Sequence, residues 1–277
     1  MSDLPLISYA PNGEDIVLWR ALQHLTPGYF VDVGACHPVI TSITKLFSER
    51  GWRGINVEPL PHLIEALDAD RPHDVNLPIA LSDENGELTL HVVLDDMQRT
   101  TLSQSLADLY RADGYNVEER TTPVRTLTSV LDEYPLPRID FLKIDAEGLE
   151  DPIVRGLDFD KYRPPVIVAE EGSHQAYAFP ELLRAAGYTE TLWDGLNRFF
   201  VSADADDELR HKLSYPAGVL DDYSKLDLAE ARHEAAMATH RENELAAQIA
   251  AIHESSTWRV GKALHAPVRL VRRFTQR

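Results

Sequence analysis

Six carboxylates and one glycine turn carry the chemistry open to this sequence. Asp32 stands in YFVDVGAC (Tyr29 to Cys36), just ahead of Gly34 and Ala35. Glu58 ends GINVEPL, Asp145 and Glu147 end IDFLKIDAEG, and Glu170 and Glu171 end PVIVAEE. Each follows a short apolar, β-branched run, the composition of a parallel strand buried on both faces. Acids brought to one edge by successive strands form a crevice that hydrogen-bonds hydroxyls and amines and tolerates a cation.

A dinucleotide needs three glycines, G-x-G-x-x-G, so that backbone and helix N-terminus can approach a pyrophosphate. The turn here is Gly34-Ala35-Cys36-His37-Pro38, with one glycine and a proline that removes an N–H donor where phosphate would sit. A phosphate-free, cationic cofactor fits better. S-adenosylmethionine offers ribose hydroxyls to an acid at the second strand end, here Glu58. It offers an adenine amine at the third, here Ser82-Asp83, and a sulfonium that tolerates carboxylates near Asp32, Gly34 and Ala35.

The elements that must position these residues alternate. Ile16, Trp19, Leu22 and Leu25 in EDIVLWRALQHL share a helix face, with Glu14 and Asp15 in its first turn. Residues 41–50 read as a crossover helix stopped by Gly51, and 62–69 as the next. Asn76 to Leu81 reads as a third strand and Leu88 to Leu94 as an added one. Residues 95–125 show little regularity beyond a helix at 104–113. Thr126 to Glu133 is expected to be helical, Ile139 to Asp145 a strand, 148–156 a helix and Pro165 to Glu170 a strand. A helix at 179–186 and a strand at Asn197 to Ser202 close the body. Such alternation predicts an α/β, doubly wound, mostly parallel sheet.

From about Ser224 glycine and proline vanish until Gly261, and alanine and glutamate rise. This predicts a body at 1–223, a long helix at 224–254 and a basic amphipathic tail at 255–277. The helix offers sparse apolar points for a coiled coil and homo-oligomer contact. The net charge is −18, yet the tail alone carries +6 and the rest −24. So acidic a body repels phosphate backbones, which argues against nucleic acid as a partner. No apolar run reaches the ~20 residues of a membrane span, and the N-terminus lacks a signal pattern. One cysteine, Cys36, fits a reducing cytosol. The tail interleaves Trp258, Leu264, Val268, Val271 and Phe274 with cations, as peripheral binding to the inner face of a membrane, or to a partner protein, requires.

The chain resembles the FkbM-type S-adenosylmethionine-dependent methyltransferase family. The matching blocks are YAPNGEDIVLWRAL, FVDVGACHP, GINVEPLP, LPIALSDENGELTL, FLKIDAEGLE, DGLNRFFV and SYPAGVLDDY, in family order over residues 8–223. The resemblance implies a seven-stranded Rossmann-like sheet with an antiparallel final strand, and O-methylation of a hydroxyl on a sugar or a polyketide. Two departures stand out. Cys36-His37 replace the family's usual asparagine after Gly-Ala, and EEGSHQAYAFPELL is shorter than in close relatives. The SSTWR stretch also resembles tails on enzymes of surface-glycan assembly, which points the acceptor toward a glycan or glycoconjugate sugar.

On this reading the cofactor-binding residues are Glu14, Asp32, Gly34, Ala35, Glu58, Ser82 and Asp83. An alcohol needs a base or a metal to become a nucleophile. Asp145 is the first candidate base, with Glu147 beside it and His174 where an acceptor could lie. Asp145, Glu170 and Glu171 could form an oxygen set for Mg²⁺. Plainer roles stay open: Asp32 as an anchor for the glycine loop, Asp83 as a turn cap, Asp145 as a helix cap, and Glu170-Glu171 as an acidic rim. A non-enzymatic alternative is an adaptor working through its helical tail.

Overall fold

The computed structural model describes residues 6–172 and 176–260. The chain opens with strand β1 (Leu6–Ser8), helix α1 (Glu14–Leu22), β2 (Tyr29–Val33), α2 (Lys45–Glu49), β3 (Arg53–Val57), α3 (Pro61–Asp70) and β4 (Val75–Leu77). An accessory stretch follows, made of β5 (Ala80–Leu81), β6 (Gly86–Val93), α4 (Gln104–Ala112) and β7 (Val117–Arg125). Next come α5 (Leu127–Glu133), β8 (Phe141–Ile144), α6 (Glu150–Arg155), β9 (Val166–Glu170) and α7 (Phe179–Ala185). The body ends with β10 (Tyr188–Trp193), β11 (Asn197–Ser202), α8 (Asp207–Lys212) and β12 (Tyr223–Lys225), which pairs with β1. Helix α9 (Leu226–Glu254) begins a second unit; none of its residues is buried. No helix among the described residues is long and apolar enough to cross a membrane.

Seven strands form the central sheet in the order β10-β11-β9-β8-β2-β3-β4. All neighbours are parallel except β11, which runs against both β9 and β10. The expected α/β sheet with its antiparallel late strand is therefore present. Strand order reverses between β2 and β8, and such a switch point opens a crevice at the carboxyl ends of the strands.

The two-residue period of a strand sorts side chains onto two faces. Phe30, Phe141, Val166, Val168, Phe199 and Val201 pack with α1 and α2 on one face. Val31, Val33, Leu142, Ile144, Ile167 and Ala169 pack with α5, α6 and α7 on the other. Phe141 sits 4.8 Å from Phe47 and 5.9 Å from Trp52 between ring centroids, fixing α2 against β8. Truncating a core phenylalanine of this kind costs about 3–5 kcal/mol.

Several expectations are corrected. Asn76 to Leu81 is not one strand: β4 joins the central sheet, whereas β5 joins a three-stranded sheet ordered β5-β7-β6. Pro78 stands between them and has no N–H to continue a ladder. Residues 95–125 hold the nine-residue strand β7, hidden in the sequence because most of VEERTTPVR faces solvent. The crossover helix covers only Lys45–Glu49, since Thr41 takes a left-handed φ of 59°. Strand β10 was not anticipated. The basic tail lies outside the described residues from position 261 onward, as does His174.

Gly34 closes β2 at the switch point with φ of 72°, and its N–H donates to the Val57 carbonyl at 2.9 Å. A Cβ built there would lie 1.7 Å from the Asp145 carbonyl oxygen, so two strand ends meet only because this residue has no side chain. Gly34→Ala combines backbone strain with overpacking and is expected to cost roughly 3 kcal/mol or more in urea unfolding. An unchanged midpoint would show that the close approach is not required.

Candidate active site at the strand ends

A cavity opens where the strands end, with about 1160 Å³ of space including its mouth. Its floor is Val33 to Cys36 after β2, Val57 to Pro59 after β3, Asp145 to Glu147 after β8, Glu170 of β9 and Asn197 of β11. The accessory stretch supplies one wall through Leu90, Met97, Gln98 and Thr100 to Leu102, and Ile79 to Leu81 supply another.

Strand register brings the central charges together. Asp32 of β2 pairs with Lys143 of β8, and Glu170 of β9 pairs with Asn197 of β11. By strand alternation all four side chains emerge on the α1 face. A lysine in a strand as apolar as FLKI must find partners or lose its charge. The Lys143 ammonium donates to the Gly34 carbonyl at 2.6 Å and pairs with Asp32 at 3.2 Å and Asp145 at 3.3 Å. Burial works against its charge, but Asp145 and Asp32 outweigh burial and raise its pKa. Behind it, Thr44 donates to Asp32 at 2.6 Å, and the buried Arg71 donates to Thr44, Ser42 and the Pro38 carbonyl. Asp32 thus joins a chain that pins the loop after β2.

Asp145, Glu147 and Glu170 can place carboxylate oxygens within 4.8 Å of one another. Burial pushes Asp145 up, yet Lys143 and a hydrogen bond from Glu170 prevail and hold it below the usual carboxylate range. Glu170 is raised well above that range by burial and then by Asp145. The pair therefore shares one proton, with Asp145 the ionised member. Glu147 rises to about 8 through burial, then Asp145 and Glu150. Its backbone takes a left-handed φ of 46°, held by Thr101 Oγ1 donating to its carbonyl at 2.6 Å, while Tyr110 reaches its carboxylate at 3.4 Å. The set of three hard oxygen donors is the chemistry that suits Mg²⁺.

Glu58 lines the cavity and accepts backbone N–H bonds from Cys36 at 3.0 Å and Leu60 at 2.9 Å. Burial raises it to about 7 despite those bonds. Gly34 and Ala35 line the cavity as well. Other assignments change. Asp32 is buried behind the cavity and serves as the Lys143 anchor. Glu14 is buried beneath the wall, where it accepts from the Asn12 backbone and from Asn197 Nδ2. Ser82 and Asp83 do not line the cavity; Asp83 is exposed and accepts from Ser82, and Ile79 to Leu81 take their place because β5 leaves the central sheet. Glu171 points away to pair with Arg198, as strand alternation requires of the residue after Glu170, and Glu147 completes the acidic trio in its stead. Lys143 and Asn197 went unnoticed in the sequence. Lys143 was detectable as a cation inside an otherwise apolar strand, whereas Asn197 shows no such signal.

Buried carboxyls make stability depend on pH in an unusual direction. Glu14, Glu58 and Glu150 rise by burial from 4.5 to about 7, and Glu147 to about 8. A carboxyl with a raised native pKa favours the folded state below its ordinary value and loses that contribution as pH climbs through the raised one. The melting temperature is expected to fall as pH goes from about 4.5 to about 8. Glu150→Gln, which keeps the acceptor used by Ala146 and Gly148, should flatten that slope in calorimetry. A melting temperature that climbs across this interval contradicts the assignment.

Among known proteins, no curated sequence matches the chain. Solved structures with a similar chain course include a TehB-like SAM-dependent methyltransferase from Corynebacterium glutamicum, at 15% identity over 68% of this chain and 87% of that one, TM-score 0.33. A putative RNA methyltransferase from Pyrococcus horikoshii matches at 13% identity over 69% and 82%, TM-score 0.35. A third is the 1,6-didemethyltoxoflavin-N1-methyltransferase of Burkholderia thailandensis, solved with 1,6-didemethyltoxoflavin and S-adenosylhomocysteine, at 14% identity over 69% and 77%, TM-score 0.33. The sequence model of the methyltransferase FkbM domain matches residues 32–190, more than half of the chain, from the carboxyl end of β2 through β9. This chain belongs to the FkbM methyltransferase domain family.

Proposed function

We propose that the protein transfers a methyl group from S-adenosylmethionine to a hydroxyl oxygen, on a sugar of a glycan or glycoconjugate. The observation that carries this reading is Asp145, 3.3 Å from the Lys143 ammonium and grouped with Glu147 and Glu170, at the switch point of a methyltransferase-family sheet. The donor supplies a methyl carbon on a sulfonium, already activated, so the protein's work is alignment and proton removal. Glu58 lies at the β3 end with lone pairs left over after its two backbone bonds, enough to accept from a ribose diol. The Gly34 turn lets a ligand lie against backbone. Donor contacts thus fall on β3 and β2, and the acid trio on β8 and β9 meets the acceptor.

Asp145 takes the acceptor's proton as the oxygen attacks, and the electron pair of the breaking carbon–sulfur bond stays on sulfur. Lys143 stabilises the carboxylate before that step. Asp145, Glu147 and Glu170 would hold a Mg²⁺ ion, which supplies Lewis acidity toward the hydroxyl. Glycan chemistry is favoured by the acidic lining, since carboxylates accept from vicinal hydroxyls. The apolar wall of Leu90, Met97 and Leu102 favours a second acceptor class, a polyketide or other secondary metabolite.

Two variants test the assignment. Glu58→Ala should weaken S-adenosylmethionine binding by more than about 1 kcal/mol in calorimetry; unchanged affinity removes Glu58 from the donor site. Asp145→Asn should cut labelled-methyl transfer into host glycan extracts by at least ~100-fold while donor affinity persists. Wild-type turnover in that variant ends the role of Asp145 as base.

A further inference from the structure

Helix α9 has a local reason to form, because alanine, the best helix former, holds nine of its 29 positions. Propensity does not explain where its large apolar residues stand. From Leu228 the chain steps three and four residues in turn through Ala231, Ala235 and Ala238 to Glu242. The same steps continue through Leu245 and Ile249 to Ile252. This is an unbroken 3.5-residue repeat, the spacing of a seam between supercoiled helices, with Glu242 its one polar member. Leu228, Leu245, Ile249 and Ile252 are 46–55% exposed, and no residue of α9 is buried. The opposite side carries Glu230, His233, His240, Glu244 and Glu254, with His240 lying 3.4 Å from Glu244; Met237 is the exception there.

The seam is lopsided, with small residues at 231–238 and large ones at 245–252. Two copies aligned in parallel stack alanine on alanine in three consecutive layers, then leucine and isoleucine on their like. No single helix separation suits both halves. Parallel copies also set Glu242 against Glu242, like charges across the seam. Reversing one copy, with a two-fold axis level with residue 240, removes both faults. Ala231 then faces the partner's Ile249, Ala235 the partner's Leu245 and Leu228 the partner's Ile252. Small thus meets large, and the layers interdigitate. Glu242 faces the partner's Ala238, over which its carboxylate can extend to the partner's Arg241, one turn along the same face. Symmetry repeats each of these layers, and together they occupy ~36 Å of helix.

We infer that α9 is a dimerisation element, pairing antiparallel with the α9 of a second copy of this chain. Its own pattern of size and charge is the complement of itself reversed, which is why a second copy is the occupant. The inference is independent of the methyl-transfer reading, since no residue of the seam lines the strand-end cavity.

The whole chain provides the test. Sedimentation equilibrium at up to about 100 μM should show a species of twice the 31.2 kDa chain mass that dissociates on dilution. Ile249→Asp places two unpaired carboxylates in the seam and should weaken the dimer at least ~10-fold. Because Ile249 is exposed in the single chain, thermal unfolding of the body should not change. In a Cys36→Ala background, Leu228→Cys and Ile252→Cys report direction under mild oxidation. Each variant alone should stay non-covalent, and an equimolar mixture of the two should yield a disulfide-linked dimer. Disulfides in the single variants, which join like positions, overturn the antiparallel pairing, as does their absence from the mixture. A chain that stays monomeric at the highest concentration, or a dimer indifferent to Ile249→Asp, overturns the inference altogether.

Discussion

A buried ammonium holds the centre of this molecule in order. Lys143 sits in a strand whose other residues are Phe, Leu and Ile, and its three donors meet Gly34, Asp32 and Asp145. Removing one partner of such a buried set leaves an uncompensated charge, a loss of about 3–5 kcal/mol. The same contacts set the chemistry. Lys143 holds the Asp145 carboxyl below the usual carboxylate range against the desolvation that raises it, and draws the Gly34 carbonyl and the Asp145 loop to one point. The packing of the strand ends and the charge of Asp145 therefore share a single cation.

The geometry around it follows from strand parity. Odd and even positions of β2, β8, β9 and β11 alternate between two helical layers. Asp32, Lys143, Glu170 and Asn197 fall on the layer that contains α1, and Glu14 opens that helix. The acids are thus wired to the sheet in different ways. Asp32 and Glu14 face inward and anchor other side chains, while Asp145, Glu58 and Glu170 face the cavity. A one-residue slip of β8 would exchange Lys143 for an apolar residue and dismantle the arrangement.

The accessory sheet has a separate task. Strands β6 and β7 carry a strap whose Thr101 and the neighbouring Tyr110 of α4 hold Glu147 in its left-handed backbone conformation. A non-glycine residue in that region is strained and persists only where its surroundings over-determine it. The cavity wall and the third acid of the cluster are consequently coupled. A change in the strap shifts Glu147 as well as the shape of the mouth.

The fold class was legible because buried parallel strands are continuous apolar runs, and VDVGA, INVEP and FLKIDAEG each end in an acid beside a turn. Those runs also identified Gly34, Glu58, Asp145 and Glu170 as cavity residues. What failed was whatever depends on partners distant in the chain. Strand β7 is polar because Glu118 to Thr121 meet water on both faces, so no apolar period betrays it. Ser82 and Asp83 drop out because Pro78 sends β5 to another sheet. Which of two adjacent acids, Glu170 or Glu171, enters the cavity is decided by parity against β8 and β11, which a linear pattern does not state. The sequence by itself determined which strands are buried and where their carboxyl ends place acids, since burial and turn chemistry are local. Tertiary structure alone decided which acids meet Lys143, which meet the cavity and which brace Asn197, because those pairings exist only once the register of separate strands is set.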